Sequence, residues 1–149
     1  MAHRRTLALC WLLVCTAVGT GDTDPRKEAE LKWAKEVASD FLNAGVQSHY
    51  QNAETLLTAD YRKALKEANV SLAMQFRDLV LDGKAESWSI NVAEMAPDKD
   101  EALFRGATRG KKGGATFALR VVKEKEGGKW RVAFFATGAS AEAGEKPKE

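Results

Sequence analysis

The sequence predicts an α+β fold in which helices near the N-terminus pack on one face of a four-stranded antiparallel sheet. Across residues 31–81, apolar side chains recur at intervals of three and four, which is the period of an amphipathic helix. Beyond Gly83 the interval changes to two, which is the period of a half-buried strand. Because the helices come first and the strands follow as a group, we expect helices and sheet to form separate layers around one core.

The leader, residues 1–19, has the three zones of a secretory signal peptide. Arg4 and Arg5 form a basic start, an apolar run follows, and small residues close the segment. The apolar run is too short to span a bilayer, which takes roughly 20 helical residues. We therefore expect cleavage after Gly19, or alternatively after Gly21, and an exported product, periplasmic or secreted, without a membrane span. An uncleaved N-terminal anchor is the competing interpretation.

Charge and cysteine content exclude several classes of function. Removing Arg4 and Arg5 leaves 21 of the 23 basic residues against 21 acidic ones, so the exported chain is neutral overall. A neutral surface gives no electrostatic reason to expect nucleic acid as a partner. Cys10 and Cys15 both lie in the leader, so the remaining chain has neither a disulfide nor a thiolate nucleophile. His49 is its only histidine, and we expect no metal and no cofactor.

The first helix begins at Asp24, a good N-cap residue, followed by Pro25 at the position where proline is favoured. Gly45 is the predicted end of this helix. Polar residues fill one side of it, and an apolar stripe lies on the other, formed by Leu31, Ala34, Val37, Ala38, Phe41 and Leu42.

Three shorter helices are predicted to follow. Ser48 is the expected N-cap of the second helix, Asp60 of the third and Ser71 of the fourth, which runs over residues 72–81 to a stop at Gly83. Their inward residues are Tyr50, Ala53, Leu56, Leu57, Tyr61, Ala64, Leu65, Leu72, Phe76, Leu79 and Val80.

Two strands come next in the predicted sheet. Trp88, Ile90 and Val92 alternate with polar residues and should share the core-facing side of the first strand. The second strand, residues 101–109, alternates poorly and contains Gly106, which indicates a bulge or a bend.

The segments beside the last two strands are expected to be irregular. Residues 109–114 form a basic, glycine-rich loop, which is typical of a strand connection and lacks the setting of a phosphate-binding loop. Residues 139–149 have no apolar period, so we expect a disordered tail. The folded domain is therefore assigned to residues 24–138.

The third and fourth strands form a hairpin over residues 114–138, the strongest local signal in the chain. Its double-glycine turn allows two registers, one pairing Glu126 with Lys129 and the other pairing Glu124 with Lys129. The two registers differ by two residues, so both predict the same core-facing residues. These are Phe117, Leu119, Val121, Trp130, Val132 and Phe134.

The opposite face of the hairpin is the predicted association face. It carries small apolar groups between arginines, where a solvated face would be mostly polar. A partner surface, in particular a second copy of the chain, would gain from covering it. The residues assigned to this face are Arg120, Val122, Arg131 and Phe135, with Ala118 and Ala133 beside them.

This order of elements resembles the superfamily named for nuclear transport factor two, and is most similar to its small exported bacterial members of unassigned function. The resemblance covers residues 24–138 and rests on the segments HYQNAETLL, TADYRKAL, WSINV and ATFALRVVKE…GKWRVAFF. It implies a strongly curved sheet wrapped around the helices as a cone, with a pocket at its open end. The residues expected to line that cone are Phe41, Tyr61, Trp88, Phe117 and Trp130.

The superfamily includes isomerases, dehydratases and epoxide hydrolases besides many non-catalytic modules, so the fold alone does not choose among them. None of the predicted inward strand residues is ionisable. The first helix has no tyrosine where the isomerase-like members carry their oxyanion donor. The sequence therefore favours a non-catalytic binding module, with a small apolar ligand in the cone or a protein partner on the sheet. The alternative is an isomerase- or dehydratase-like enzyme with an atypical site.

Overall fold

The computed structural model describes residues 24–77, 79, 87–98, 100–109 and 114–138. The predicted signal peptide, the stop at Gly83 and the predicted disordered tail lie outside these residues. Within them the chain forms four helices followed by four strands, which confirms the α+β class. None of the described helices combines the length and the apolar character needed to cross a membrane.

Helix α1, Pro25–Val46, begins as predicted: the Asp24 side chain accepts a hydrogen bond from the Arg26 amide at 3.0 Å. Its predicted end at Gly45 is wrong, because the helix continues to Val46 and Ser48 takes the left-handed turn beyond it, with φ of 62°. Gly45 lies instead on the buried side of α1, where the aromatic ring of Phe76 rests against its backbone. The apolar stripe is buried as expected at Ala34, Ala38, Phe41 and Leu42.

Helices α2 (Tyr50–Thr55), α3 (Ala59–Glu67) and α4 (Leu72–Arg77) follow. The predicted N-cap of α2, Ser48, is wrong: His49 occupies that position without a side-chain capping bond.

The starts of α3 and α4 depend on two hydroxyl groups. Thr58, and not the predicted Asp60, caps α3, since the Thr58 hydroxyl accepts a hydrogen bond from the Tyr61 amide at 3.1 Å. Ser71 lies at the start of α4 as predicted, and its hydroxyl accepts from the Met74 amide at 3.2 Å. A threonine two residues before an aspartate offers two capping candidates, and the sequence pattern does not separate them.

The sheet has strands β1 (Ser87–Met95), β2 (Glu101–Arg109), β3 (Thr116–Lys123) and β4 (Trp130–Thr137), antiparallel and in chain order. The looser of the two predicted hairpin registers is present: the Glu124 amide donates to the Lys129 carbonyl at 2.8 Å. We call the side of the sheet that packs on the helices the inner face and the opposite side the outer face.

A β-bulge in β4 changes which residues reach the inner face. Arg120 pairs with Phe134 and Val121 pairs with Val132, so Ala133 is an extra residue on β4. Trp130 and Val132 face inward as predicted, but beyond the bulge the alternation reverses. The assignment of Phe134 to the inner face and of Phe135 to the association face is therefore wrong. Phe135 is 1% exposed and belongs to the core.

A second bulge lies in β1. Asn91 is the extra residue between Ile90 and Val92, so Ile90 packs against the core whereas Val92, predicted to do the same, is exposed. The bulge directly follows the pair formed by Ile90 and Gly106, so the irregularity suggested by that glycine lies on the neighbouring strand. Gly106 has no side chain, and the backbone carbonyl of Ser89 occupies the space that a Cβ atom would need.

The core between the helices and the inner face is rich in phenylalanine. We call Phe41 of α1, Phe76 of α4 and Phe135 of β4 the aromatic cluster. Their ring centroids lie 5.2 Å apart for Phe41 and Phe76, 5.2 Å for Phe41 and Phe135, and 4.7 Å for Phe76 and Phe135. Aromatic pairs at such distances contribute about 0.5–1.5 kcal/mol beyond the burial of their area. The cluster therefore joins the first helix, the last helix and the last strand.

Replacing Gly45 with alanine should destabilise the protein, although alanine is the better helix former by about 1 kcal/mol. The new methyl group would overlap the Phe76 ring, which the rest of the aromatic cluster holds in place. Overpacking a core typically costs about 1–3 kcal/mol. Chemical denaturation of Gly45→Ala, of Phe76→Leu and of the double variant measures the effect. We expect the double variant to be more stable than the sum of the two changes predicts. A Gly45→Ala variant more stable than the wild type would contradict the contact.

Candidate functional site

The five residues predicted to line a cone all belong to one core or pack against it. Phe41, Phe117 and Trp130 are buried members of the core, and Trp88 and Tyr61 are partly buried at its margin. The indole Nε1 of Trp88 donates to the Asn43 side chain at 2.9 Å, which anchors β1 to α1. That the five residues line a ligand pocket stays a prediction.

Tyr61 is a structural hydrogen-bonding centre at the edge of the sheet. Its hydroxyl oxygen accepts from the Phe135 amide at 3.1 Å and from the Gln75 side chain at 2.9 Å, and it donates to the Phe135 carbonyl at 3.1 Å. A phenol has one proton and two lone pairs, so these bonds use its full capacity. Burial raises the pKa of Tyr61. The hydroxyl thus binds the backbone groups of Phe135 that a strand next to β4 would otherwise bind.

Glu30, near the start of α1, is a second residue whose side chain forms several structural hydrogen bonds. Its carboxylate accepts from the Lys123 ammonium group at 2.6 Å and from the Trp130 indole at 3.0 Å. The hydrogen bond from Lys123 is the main reason that the pKa of Glu30 lies below its ordinary value. These bonds tie α1 to the β3–β4 hairpin.

The outer face of the sheet carries a mixed apolar and basic surface. The strand register places Leu103, Arg120 and Phe134 side by side in one row across β2, β3 and β4. The next row of the same face holds Arg105 and Ala118. Val122 completes the surface, which we call the arginine face: Leu103, Arg105, Ala118, Arg120, Val122 and Phe134.

The burial on the arginine face is unusual for a sheet surface outside the core. Ala118 is 1% exposed, although it is not part of the core cluster. Arg105 and Arg120 flank it, and the Nε atom of each is buried without a hydrogen-bond partner. An unsatisfied buried donor costs about 1–3 kcal/mol, and more when it belongs to a charged group. The guanidinium groups of both arginines are therefore incompletely hydrogen-bonded within the single chain.

Ion pairs neutralise only part of the positive charge on the outer face. Arg120 lies 3.9 Å from Glu101, and Arg131 lies 3.8 Å from Glu124. Arg105 forms no ion pair within the described part of the chain. Of the residues assigned to the association face, Arg120, Val122 and Arg131 lie on this side of the sheet.

Sequence reasoning missed several members of the candidate site. Leu103 and Arg105 lie on β2, whose alternation seemed poor because Ala102, Gly106 and Thr108 supply little apolar bulk to the inner face. A strict count of every second residue from Phe104 would have placed both on the outer face. Phe134 was missed because the sequence does not reveal the bulge beside it.

Glu30 and Tyr61, two partly covered ionisable residues, are occupied by structural bonds. The Glu30 carboxylate holds the hairpin, and the Tyr61 hydroxyl holds the edge of β4. No protein-family model matches the chain, and no curated protein is significantly similar to it in sequence. The arginine face is the candidate functional site on its geometry.

Removal of the Tyr61 hydroxyl by Tyr61→Phe should lower the free energy of unfolding by about 1–3 kcal/mol, because the Phe135 amide loses its partner and the Phe135 carbonyl keeps only the 3.4 Å bond from Gln75. The loss should be largest below pH 10. Above that value the unfolded phenol ionises while the folded one, with its raised pKa, does not, so the advantage of the wild type shrinks.

Tyr50→Phe is the matched control, since among the described residues the Tyr50 hydroxyl reaches only the exposed Ser48 side chain, at 3.4 Å. Urea denaturation at several pH values compares the two variants. Equal stabilities for them would contradict the structural role of Tyr61.

Proposed function

We propose that the protein is an exported, non-catalytic interaction module of the nuclear-transport-factor-two-like type that associates with a second copy of itself through the arginine face. The observation that carries this proposal is the outer row of partly covered apolar side chains, Leu103 and Phe134, next to Arg105, which has no ion-pair partner among the described residues. Helices followed by an antiparallel meander in chain order are in keeping with the superfamily.

The filling of the core supports a non-catalytic role. The aromatic cluster fills the space between α1, α4 and the inner face, and it includes Phe41, one of the residues expected to line the cone. A general acid or base has to reach a substrate, whereas the Tyr61 hydroxyl is saturated by protein partners. These features favour a partner on the sheet over a small ligand inside the cone.

The apolar part of the arginine face supports association. Leu103, Val122 and Phe134 are only partly covered in the single chain. Completing the burial of one large apolar side chain contributes about 1.5–3 kcal/mol. Arginines between apolar groups are typical of the central residues of protein interfaces.

The charges of the outer face favour a second copy as the partner. Glu94 pairs with Leu103 at one edge of the face, and Glu101 pairs with Val122 at the end towards which β3 runs. Arg105 lies farther along β2, beside Ala118. A two-fold axis that runs across the strands reverses their direction, so it brings the acidic end of one copy towards Arg105 of the other. Carboxylates are the acceptors that a guanidinium group binds best.

Light scattering over a concentration series tests the proposal. The wild type should approach the mass of a dimer as concentration rises. Leu103→Glu places a charge at the centre of the face and should raise the dissociation constant at least about tenfold, which corresponds to about 1.4 kcal/mol. Arg105→Glu should also weaken the dimer, because like charges then meet.

Trp33→Lys is the matched control, since it removes an exposed aromatic side chain from α1, away from the sheet. This variant should associate as the wild type does. A wild type that is monomeric at the highest soluble concentration would refute the proposal, and so would a Leu103→Glu variant that is folded and still dimeric.

A further inference from the structure

A groove of about 660 Å³ lies between α3, the end of α2 and the beginning of α4. This volume falls within the range of small-molecule sites, about 300–1,000 Å³. The groove shares no lining residue with the arginine face. Its apolar lining consists of Leu57, Leu65, Val70, Leu72 and Ala59, and its polar lining of Glu54, Arg62, Lys63, Lys66 and Ser71.

The floor of the groove is fixed by the sheet. Leu57 and Leu72 are each 1% exposed. Leu57 bridges to Val132 on the edge of β4, where the Thr58 amide donates to the Val132 carbonyl at 2.9 Å and the Val132 amide donates to Leu56 at 2.8 Å. The apolar floor is therefore held in place before any ligand arrives.

The rim of the groove is positively charged. Arg62, Lys63 and Lys66 of α3 face a single acidic residue, Glu54. Lys63 lies 3.8 Å from Glu67, but both side chains are largely exposed and such a pair is weak. Arg62 and Lys66 form no ion pair within the described ranges.

The spacing of Arg62 and Lys66 concentrates positive charge on one side of α3. They are four residues apart on α3, so their charges lie on the same side of the helix and repel each other. The same helix has no fully buried residue, and it contacts the core through the partly buried Tyr61 and Leu65. An anion between the two side chains would replace this repulsion by attraction.

We propose that the groove binds a small anionic amphiphile, a single alkyl chain that ends in a carboxylate, as in a medium-chain fatty acid. The alkyl chain lies on Leu65 and Val70, the partly exposed apolar residues of the lining, and the carboxylate lies between Arg62 and Lys66. An apolar floor with a cationic rim selects this combination over a neutral alcohol or a cationic amphiphile of the same length.

Titration of the full-length chain with decanoate, decanol and decyltrimethylammonium tests the proposal, each probe being kept below its micelle concentration. Amide chemical shifts in NMR report both the site and the dissociation constant. Decanoate should bind more tightly than decanol, and decyltrimethylammonium should bind most weakly. The shift changes with decanoate should fall on residues 54–72.

Two double variants separate the groove from general charge attraction. Arg62→Gln with Lys66→Gln should weaken decanoate binding about fivefold or more and leave decanol binding unchanged. Lys32→Gln with Lys35→Gln removes two exposed charges from α1 and should change neither. Leu65→Ser should weaken both decanoate and decanol.

Binding of decanoate that the Arg62 and Lys66 changes do not affect would overturn the proposal, as would shifts outside the groove or equal affinity for the three probes. The oligomeric mass, measured with and without decanoate, keeps this result separate from the proposed dimer. The proposed decanoate site can be refuted while the proposed dimer is supported, and the dimer can be refuted while the site is supported.

Discussion

The contact between the Phe76 ring and the backbone of Gly45 is the constraint on which the rest of the structure depends. It allows α4 to approach α1 closely, and Phe76 then stacks on Phe135 of the last strand while Phe41 meets both rings. A side chain on residue 45 would separate the two helices and open the core. The absence of a side chain at Gly45 thus allows α1, α4 and β4, which are distant in the chain, to pack around one apolar centre.

The two bulges determine which side chains remain for function. Ala133 turns Phe135 into the core and leaves Phe134 outside, and Asn91 does the same for Val92 on β1. Phe134 thereby joins Leu103 in one outer row. The arginine face therefore owes Phe134 to the same bulge in β4 that completes the aromatic cluster.

The edge of β4 shows how the fold limits uncontrolled strand pairing. Backbone groups of an edge strand are ready to pair with another chain. Here Val132 pairs with the connection between α2 and α3, and Phe135 bonds to the Tyr61 hydroxyl and the Gln75 side chain. Self-association through β4 pairing is thereby disfavoured.

Much of the fold follows from periodicity. The buried stripe of α1, the antiparallel hairpin and the inward positions of Phe117, Leu119 and Val121 were all predictable, because each needs only an unbroken apolar interval. The sequence does not determine which of residues 134 and 135 faces the core. Both are phenylalanines, so either could be buried, and the extra alanine at the bulge does not change the apolar pattern. Placing Arg105 on the outer face required the strand register, and finding the hydrogen bonds of Glu30 required the tertiary structure.

The most direct test compares Phe134→Lys with Phe135→Lys, two identical changes at adjacent positions. Phe135→Lys buries an unpaired charge in the aromatic cluster, and its cost should exceed the about 3–5 kcal/mol of a buried Phe→Ala change. That is a large share of the about 5–15 kcal/mol that stabilises a domain, so this variant should be unfolded or nearly so. Phe134→Lys should fold with a denaturation midpoint close to that of the wild type. A stable Phe135→Lys variant beside an unfolded Phe134→Lys variant would show that the strand has no bulge and that the two faces are reversed.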